Sequence, residues 1–264
     1  MNQHREILER RLAERRDGWM DVRTRLVHFA LITYAVPLER LARYVPAQRF
    51  EIPEWTVGGA RYGLISAVPF YDLDFHFPRL LPLAKFRFGQ TNHRAYVIDR
   101  ATGEQCVWFF GTTLGSPVVH LARALWRIPW HPARYEIACH YDARARRYDR
   151  FHYRIDSPWC AARVELEDSG EPFGLAEGFE TPEEMRLILT HPVVGYFYRL
   201  DGRLGTYAVW HKEMTGSRAT GRDLYFSLYE RLELLSAAEM QRPHSVMICP
   251  EIEFQIHLPP RLAR

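Results

Sequence analysis

Strand-forming segments follow one another along nearly the whole chain, and most are joined by turns too short to hold a crossover helix. Asn92–Asp99 (NHRAYVID) and Gln105–Thr112 (QCVWFFGT) flank a turn carrying Thr102-Gly103. Phe197–Leu200 and Leu204–Trp210 flank Asp201-Gly202, and Arg134–His140 and Tyr148–Ile155 flank the charged turn DARARR. Gly58-Gly59 separates Phe50–Ile52 from Ala60–Val68. Leu26–Tyr34, Trp159–Leu166, Val246–Cys249 and the strictly alternating Glu251–His257 (EIEFQIH) add further strands. Parallel neighbours need long crossovers, whereas hairpins make antiparallel ones. The pattern therefore predicts an α+β, mainly β chain: an antiparallel barrel or sandwich with a few short helices on its rim.

The helices are few. Residues 3–16 form a charged helix with a narrow apolar stripe, read as part of an N-terminal helical arm over residues 1–20. Pro37 opens a short helix, PLERLARYV, closed by Pro46. Ser116-Pro117 starts SPVVHLARALW, which Pro129 and Pro132 stop. Thr181-Pro182-Glu183-Glu184 is a capping box for a helix to about Leu189. Residues 224–234 fit either helix or strand. Residues 69–84 (PFYDLDFHFPRLLPLA) hold three prolines and read as a long ordered loop that covers something. No Ser/Gly/Pro linker divides the rest, so residues 21–264 are taken as one domain.

Composition excludes several function classes. With 47% hydrophobic residues the chain buries a substantial core and is not disordered. The net charge is +3, with both signs mixed along the sequence and no basic stripe, so no nucleic acid is expected as partner. The four cysteines form no C-x-x-C pair, the opening residues lack the apolar core of a secretory signal, and no window approaches a membrane span. A reduced, cytoplasmic setting is expected. The 12 histidines include no metal-binding spacing, and Gly58-Gly59 lacks the helix and lysine of a phosphate loop. No metal and no cofactor are expected.

Candidate site residues cluster in two places. Trp130 and His131 sit between Pro129 and Pro132, just after the helix that ends in Trp126, and a reaction centre is expected there. His131 suits general acid/base work or donation to a ligand carbonyl, with Trp126 and Trp130 lining the same wall. Asn92 and Arg94 share one face of a strand, where an inward arginine suits a carboxylate or phosphate. Plain structural readings stay open: His131 bonded to a backbone carbonyl, the tryptophans as core, Arg94 paired with an acid such as Glu253. His28, inside an apolar strand, is a further ligand-binding candidate or a core histidine.

Several motifs together resemble the DUF2071 (YqjF-like) family of the acetoacetate decarboxylase-like superfamily. They are ITYAVPLERLARYVP, GLISAVPFY, TNHRAYVIDRATGEQCVWFF, ALWRIPWHPARY, GRLGTYAVWH and PHSVMICPEIEFQIHLPPR, in that order over about residues 25–260. The resemblance implies a large closed antiparallel barrel-like sheet around a central cavity. Decarboxylases of the superfamily form a Schiff base on a lysine whose pKa a second lysine lowers. By the matching of ALWRIPWHPA, that pair falls on Trp130 and His131, which form no imine. Lys85 and Lys212 are the only lysines among 35 basic residues, and both lie outside the stretch. The expectation is a protein that holds a small, partly apolar carbonyl or carboxylate compound, with cofactor-independent acid/base chemistry of the isomerase, hydratase or cyclase type. The catalytic candidates are His131 and Arg94. Alternatives are a non-catalytic ligand-binding or regulatory protein, and residual decarboxylation on Lys85 or Lys212. A homo-oligomer is left open.

Overall fold

The computed structural model describes residues 3–263. Helix α1 (Gln3–Ala13) precedes strand β1 (Val22–Pro37). Helix α2 (Leu38–Leu41) and strands β2 (Phe50–Glu51) and β3 (Trp55–Val57) lead into β4 (Ala60–Phe77), β5 (Leu81–Asp99) and β6 (Gln105–Leu114). Next come α3 (Val118–Trp126), β7 (Trp130–Pro132), β8 (Arg134–Asp142), β9 (Arg147–Asp156) and β10 (Ala162–Pro172). Helix α4 (Pro182–Leu189) is followed by β11 (Val194–Tyr198), β12 (Leu204–His211) and β13 (Ser217–Phe226). Helices α5 (Ser227–Arg231) and α6 (Ala237–Met240) precede the last strand, β14 (Ser245–Leu262).

Seven strands close a barrel in the order β1-β4-β5-β6-β11-β12-β14, with β14 pairing back onto β1. Beyond β14 the sheet continues as a wing, β13-β10-β9-β8. The hairpin neighbours pair antiparallel, as the short turns require, while β6 pairs in parallel with β11 and with β7. Strand alternation then sorts side chains into two cores. Phe29, Leu31, Leu64, Val68, Phe88, Tyr96 and Val107 face the barrel interior. Ala30, Ile32, Ala67, Ala95 and Val97 face outward, where Phe151, Tyr153, Val164 and Phe226 of the wing cover them.

The stretch at 69–84 is a strand hairpin, which corrects its reading as a loop. Phe77 pairs with Leu81, so β4 and β5 run through it and turn over residues 78–80. Pro78 is in the turn and Pro82 is near the start of β5, where no strand interior is interrupted. Pro69 lies opposite an irregularity in β1: pairing jumps from Val27↔Tyr71 to Ile32↔Ala67, so no β1 partner needs its missing N–H. That irregularity is a bulge at His28, whose φ is +52°. Before it Val22, Thr24 and Leu26 are buried; after it Phe29, Leu31 and Thr33 face inward. Residues 224–234 are both elements in turn, strand to Phe226 and helix from Ser227.

The helices follow their local signals. Thr181 caps α4 by accepting from Glu184 N at 3.1 Å, and Arg127 ends α3 in the left-handed region. Helix α1 lies against α4 and β12, with Leu8 buried beneath it. Arg11 donates to the His191 carbonyl, and the Trp210 indole donates to the Leu12 carbonyl at 2.9 Å. The link from α1 to β1 is held by Asp21, which accepts from Gly18 N, Gln255 Nε2 and His257 Nδ1. No helix among the described residues is long and apolar enough to cross a membrane.

Candidate functional site

Inward-facing residues of the barrel enclose a cavity of about 50 Å³. That exceeds the roughly 10–15 Å³ one water needs, and fits a compound of a few heavy atoms. Most of the wall is apolar: Phe29, Val68, Phe70, Phe109, Trp130, Val209, Met214 and Phe254. The polar groups converge from three strands, Asp72 on β4, Gln90, Asn92 and Arg94 on β5, and His211 on β12. On β5 the spacing of two puts all three on one face.

Asp72 is 1% exposed. Thr24 Oγ1 donates to its Oδ1 at 2.9 Å, and Oδ2 has no partner among the described residues. Burial raises its pKa to about 7, against a smaller opposing effect of the Thr24 hydroxyl. Asn92 Oδ1 accepts from Gln90 Nε2 at 3.1 Å and from Thr112 Oγ1 at 2.9 Å. Both bonds use the carbonyl oxygen, which leaves the amide N–H donors of Asn92 for an occupant. Arg94 donates through Nη2 to the Leu189 carbonyl at 2.9 Å and lies over the Tyr96 ring. Among the described residues its Nε is buried without a partner and it forms no ion pair. Glu253 is instead engaged by Lys212 and Arg15. His211 is buried, stacks on Phe254 and lies 4.2 Å from the His191 ring. Its Nδ1 donates to the Lys212 carbonyl at 2.8 Å, and burial lowers its pKa to about 4, so the ring is neutral near pH 7.

Of the residues singled out from sequence, Asn92, Arg94 and Trp130 line this cavity, whereas His131, Trp126 and His28 do not. His131 follows Trp130 on β7, so the strand pleat sends its ring the other way. It stacks on Trp159 at 4.1 Å with the planes 2° apart. Burial, then Arg123 and Arg231, take its pKa to about 4, away from the neutral range expected of it. Trp126 packs at the end of α3 against the margin of the interior core. His28, at the bulge, turns to the wing, where Nδ1 lies 3.2 Å from the Tyr148 hydroxyl. Lys85 and Lys212 are both exposed and neither lines the cavity. Among the described residues no cluster of three or more His, Cys, Asp or Glu could hold a metal ion.

Sequence reasoning missed Asp72, Thr24, Gln90 and His211. The signal for Asp72 was present: it shares an inward register with Val68 and Phe70 once β4 is extended past Pro69. Gln90 is two residues before Asn92, and the same extension of β5 would have found it.

The sequence profile of DUF2071, an uncharacterized conserved protein family, matches residues 23–253. The chain belongs to the DUF2071 family. No protein with a curated functional description matches it. Solved structures with the same fold include acetoacetate decarboxylase from Legionella pneumophila, 11% identical, with a TM-score of 0.56 over 98% of this chain and 95% of that one. The enduracididine biosynthesis enzyme MppR in complex with pyruvate is 12% identical, with a TM-score of 0.57 over 95% and 92%. An acetoacetate decarboxylase-like enzyme from Sphingomonas wittichii RW1 is 8% identical, with a TM-score of 0.56 over 95% of each chain. These identities establish the acetoacetate decarboxylase-like fold and nothing finer.

Proposed function

We propose that this DUF2071 protein binds a small, partly apolar carbonyl or carboxylate compound in the barrel cavity and moves protons on it without an imine. The observation that carries the reading is a pair of incomplete polar groups on one cavity. Among the described residues the Arg94 Nε donor and the Asp72 Oδ2 oxygen are both buried without partners, on adjacent strands β4 and β5 and six register positions apart, so they would meet opposite ends of an occupant. Buried polar groups are normally satisfied, so both point to an occupant. Arg94 and the amide of Asn92 would hold a carboxylate or carbonyl oxygen. Asp72, with a pKa of about 7, would exchange a proton with the bound compound, the role first expected of His131. Trp130, Phe70 and Phe109 would exclude water and contact the apolar part. Neither lysine lines the cavity, which supports chemistry of the isomerase or hydratase type over decarboxylation through a Schiff base.

The test is calorimetric titration with pyruvate and related small oxo acids, alongside native mass spectrometry for a copurifying compound. Arg94→Met should weaken binding by about tenfold or more, as expected for a lost charge-assisted bond. Asp72→Asn should keep binding but lose ligand proton exchange, followed by NMR in deuterium oxide. Equal binding by Arg94→Met and the native protein would sink the reading. Binding with no proton exchange by the native protein would favour the non-catalytic alternative, a ligand-binding or regulatory protein with the same cavity.

A further inference from the structure

The tip of the β4–β5 hairpin carries exposed apolar and cationic side chains together. Leu81 is 56% exposed and Leu83 is 95% exposed at the tip, with Phe86 38% exposed behind them. Arg79, Lys85 and Arg87 stand among these side chains, and none of the three forms an ion pair among the described residues. The sequence has no acidic residue between Asp74 and Asp99. Asp74 itself is held by Arg25 at 2.8 Å. One of the two lysines of the whole chain lies at this tip.

A second element, away from the hairpin tip, carries similar chemistry. Strand β6 runs antiparallel to β5 and finishes at Leu114, opposite Gln90, nine residues along β5 from Leu81. Helix α3 starts there. It exposes Leu121 and Leu125, 57% and 60%, one helical turn apart. Between Glu104 and Glu136 there is again no acidic residue, while Arg123, Arg127 and Arg134 are present. Each of the two elements thus presents exposed leucines beside cations that form no ion pair among the described residues, with Asp74 as the acidic neighbour of Lys85 and Arg87.

We propose that the tip of the β4–β5 hairpin docks on an anionic lipid bilayer. Exposed leucine and phenylalanine gain by leaving water, and a bilayer offers an apolar interior just beneath a negative surface. The unpaired cations fit that surface and would hold the tip at headgroup depth. A nucleic acid would match the cations but offers nothing to the leucines. A second copy meeting this one through the same end would set cations against cations, because an isologous contact brings like patches together.

Co-sedimentation with vesicles tests the proposal, using phosphatidylcholine alone and phosphatidylcholine with about a third phosphatidylglycerol. The protein should pellet with the anionic vesicles and stay in solution with the neutral ones. The double variant Leu81→Ser/Leu83→Ser should lose pelleting. Lys85→Gln/Arg87→Gln should weaken it by about fivefold per cation removed and lessen its sensitivity to salt. All four side chains are exposed, so circular dichroism and melting of both variants should match the native protein. Absence of pelleting with anionic vesicles, or full pelleting by the leucine variant, would overturn the assignment. So would a soluble dimer dispersed by the leucine variant, which would give this surface to a second copy.

Discussion

Asp72 makes a testable statement about stability and pH. Its folded pKa is about 7, against 3.8 as the ordinary value. Between those two values the native state holds a proton that the unfolded chain has released. The native form is therefore favoured at low pH, and this contribution is lost as pH rises through about 7. Within the window the slope is about −1.4 kcal/mol per pH unit. From pH 5.5 to pH 8 the loss integrates to about 2 kcal/mol. Asp72→Asn removes the titration while keeping the shape and an oxygen for the Thr24 hydroxyl to donate to. The change in unfolding free energy caused by the substitution should therefore be more favourable to the variant at pH 8 than at pH 5.5, by about 2 kcal/mol. Urea unfolding of both proteins at the two pH values gives the double difference, and groups common to both cancel. A ¹³C NMR titration of the Asp72 carboxyl locates the proton directly. A double difference within about 0.5 kcal/mol of zero, with a carboxyl titrating near its ordinary value, would refute the reasoning about its burial.

Other substitutions probe other parts of the structure. His93 is fully buried edge-on to Trp159, Phe226 and Tyr229, and neither ring nitrogen has a partner among the described residues. His93→Phe should raise stability at pH 7 by about 1–3 kcal/mol, measured by chemical unfolding. Burial takes the His93 pKa to about 3, so the favourable neutral form is present above the usual histidine value and lost as pH falls toward 3. The same variant should therefore unfold less steeply in acid. Gly89 has no room for a side chain, since a Cβ there would overlap the Tyr135 ring. Gly89→Ala should cost about 1–3 kcal/mol in the same assay, and an unchanged midpoint would show that the Tyr135 ring yields. Leu8→Asp should undock α1 and wet the Trp210 indole, seen as a red shift in tryptophan emission with the barrel still folded. An unshifted spectrum would mean that α1 does not shield Trp210.

Much of the fold could be read from hairpin turns, because connections of four or five residues between alternating runs leave little choice of partner. The β5–β6, β8–β9 and β11–β12 pairs were all found this way. The continuation of β4 and β5 past Pro69 was hidden because proline usually ends a strand. Only the bulge at His28, on a neighbouring strand, makes that proline harmless. Alternation along β5 puts Asn92 and Arg94 on one face, and both line the cavity. His131 was misplaced because adjacent residues on a strand face opposite ways, and Trp130 took the inward position. His28 looked like a core residue of an apolar strand, whereas its positive φ turns it to the wing. No local pattern reports that geometry, because it arises from pairing with β4 and β14.

The bulge at His28 also divides β1 into two reading frames. Upstream, even-numbered residues face the cavity; downstream, odd-numbered ones do. Removing one residue there would act on β1 as a frameshift acts on a message, against the fixed frame of β4. Arg23 and Arg25 would turn toward the interior and Thr24 away from Asp72. The proton affinity of the cavity carboxyl is therefore set by the length of a neighbouring strand as well as by the side chains around it.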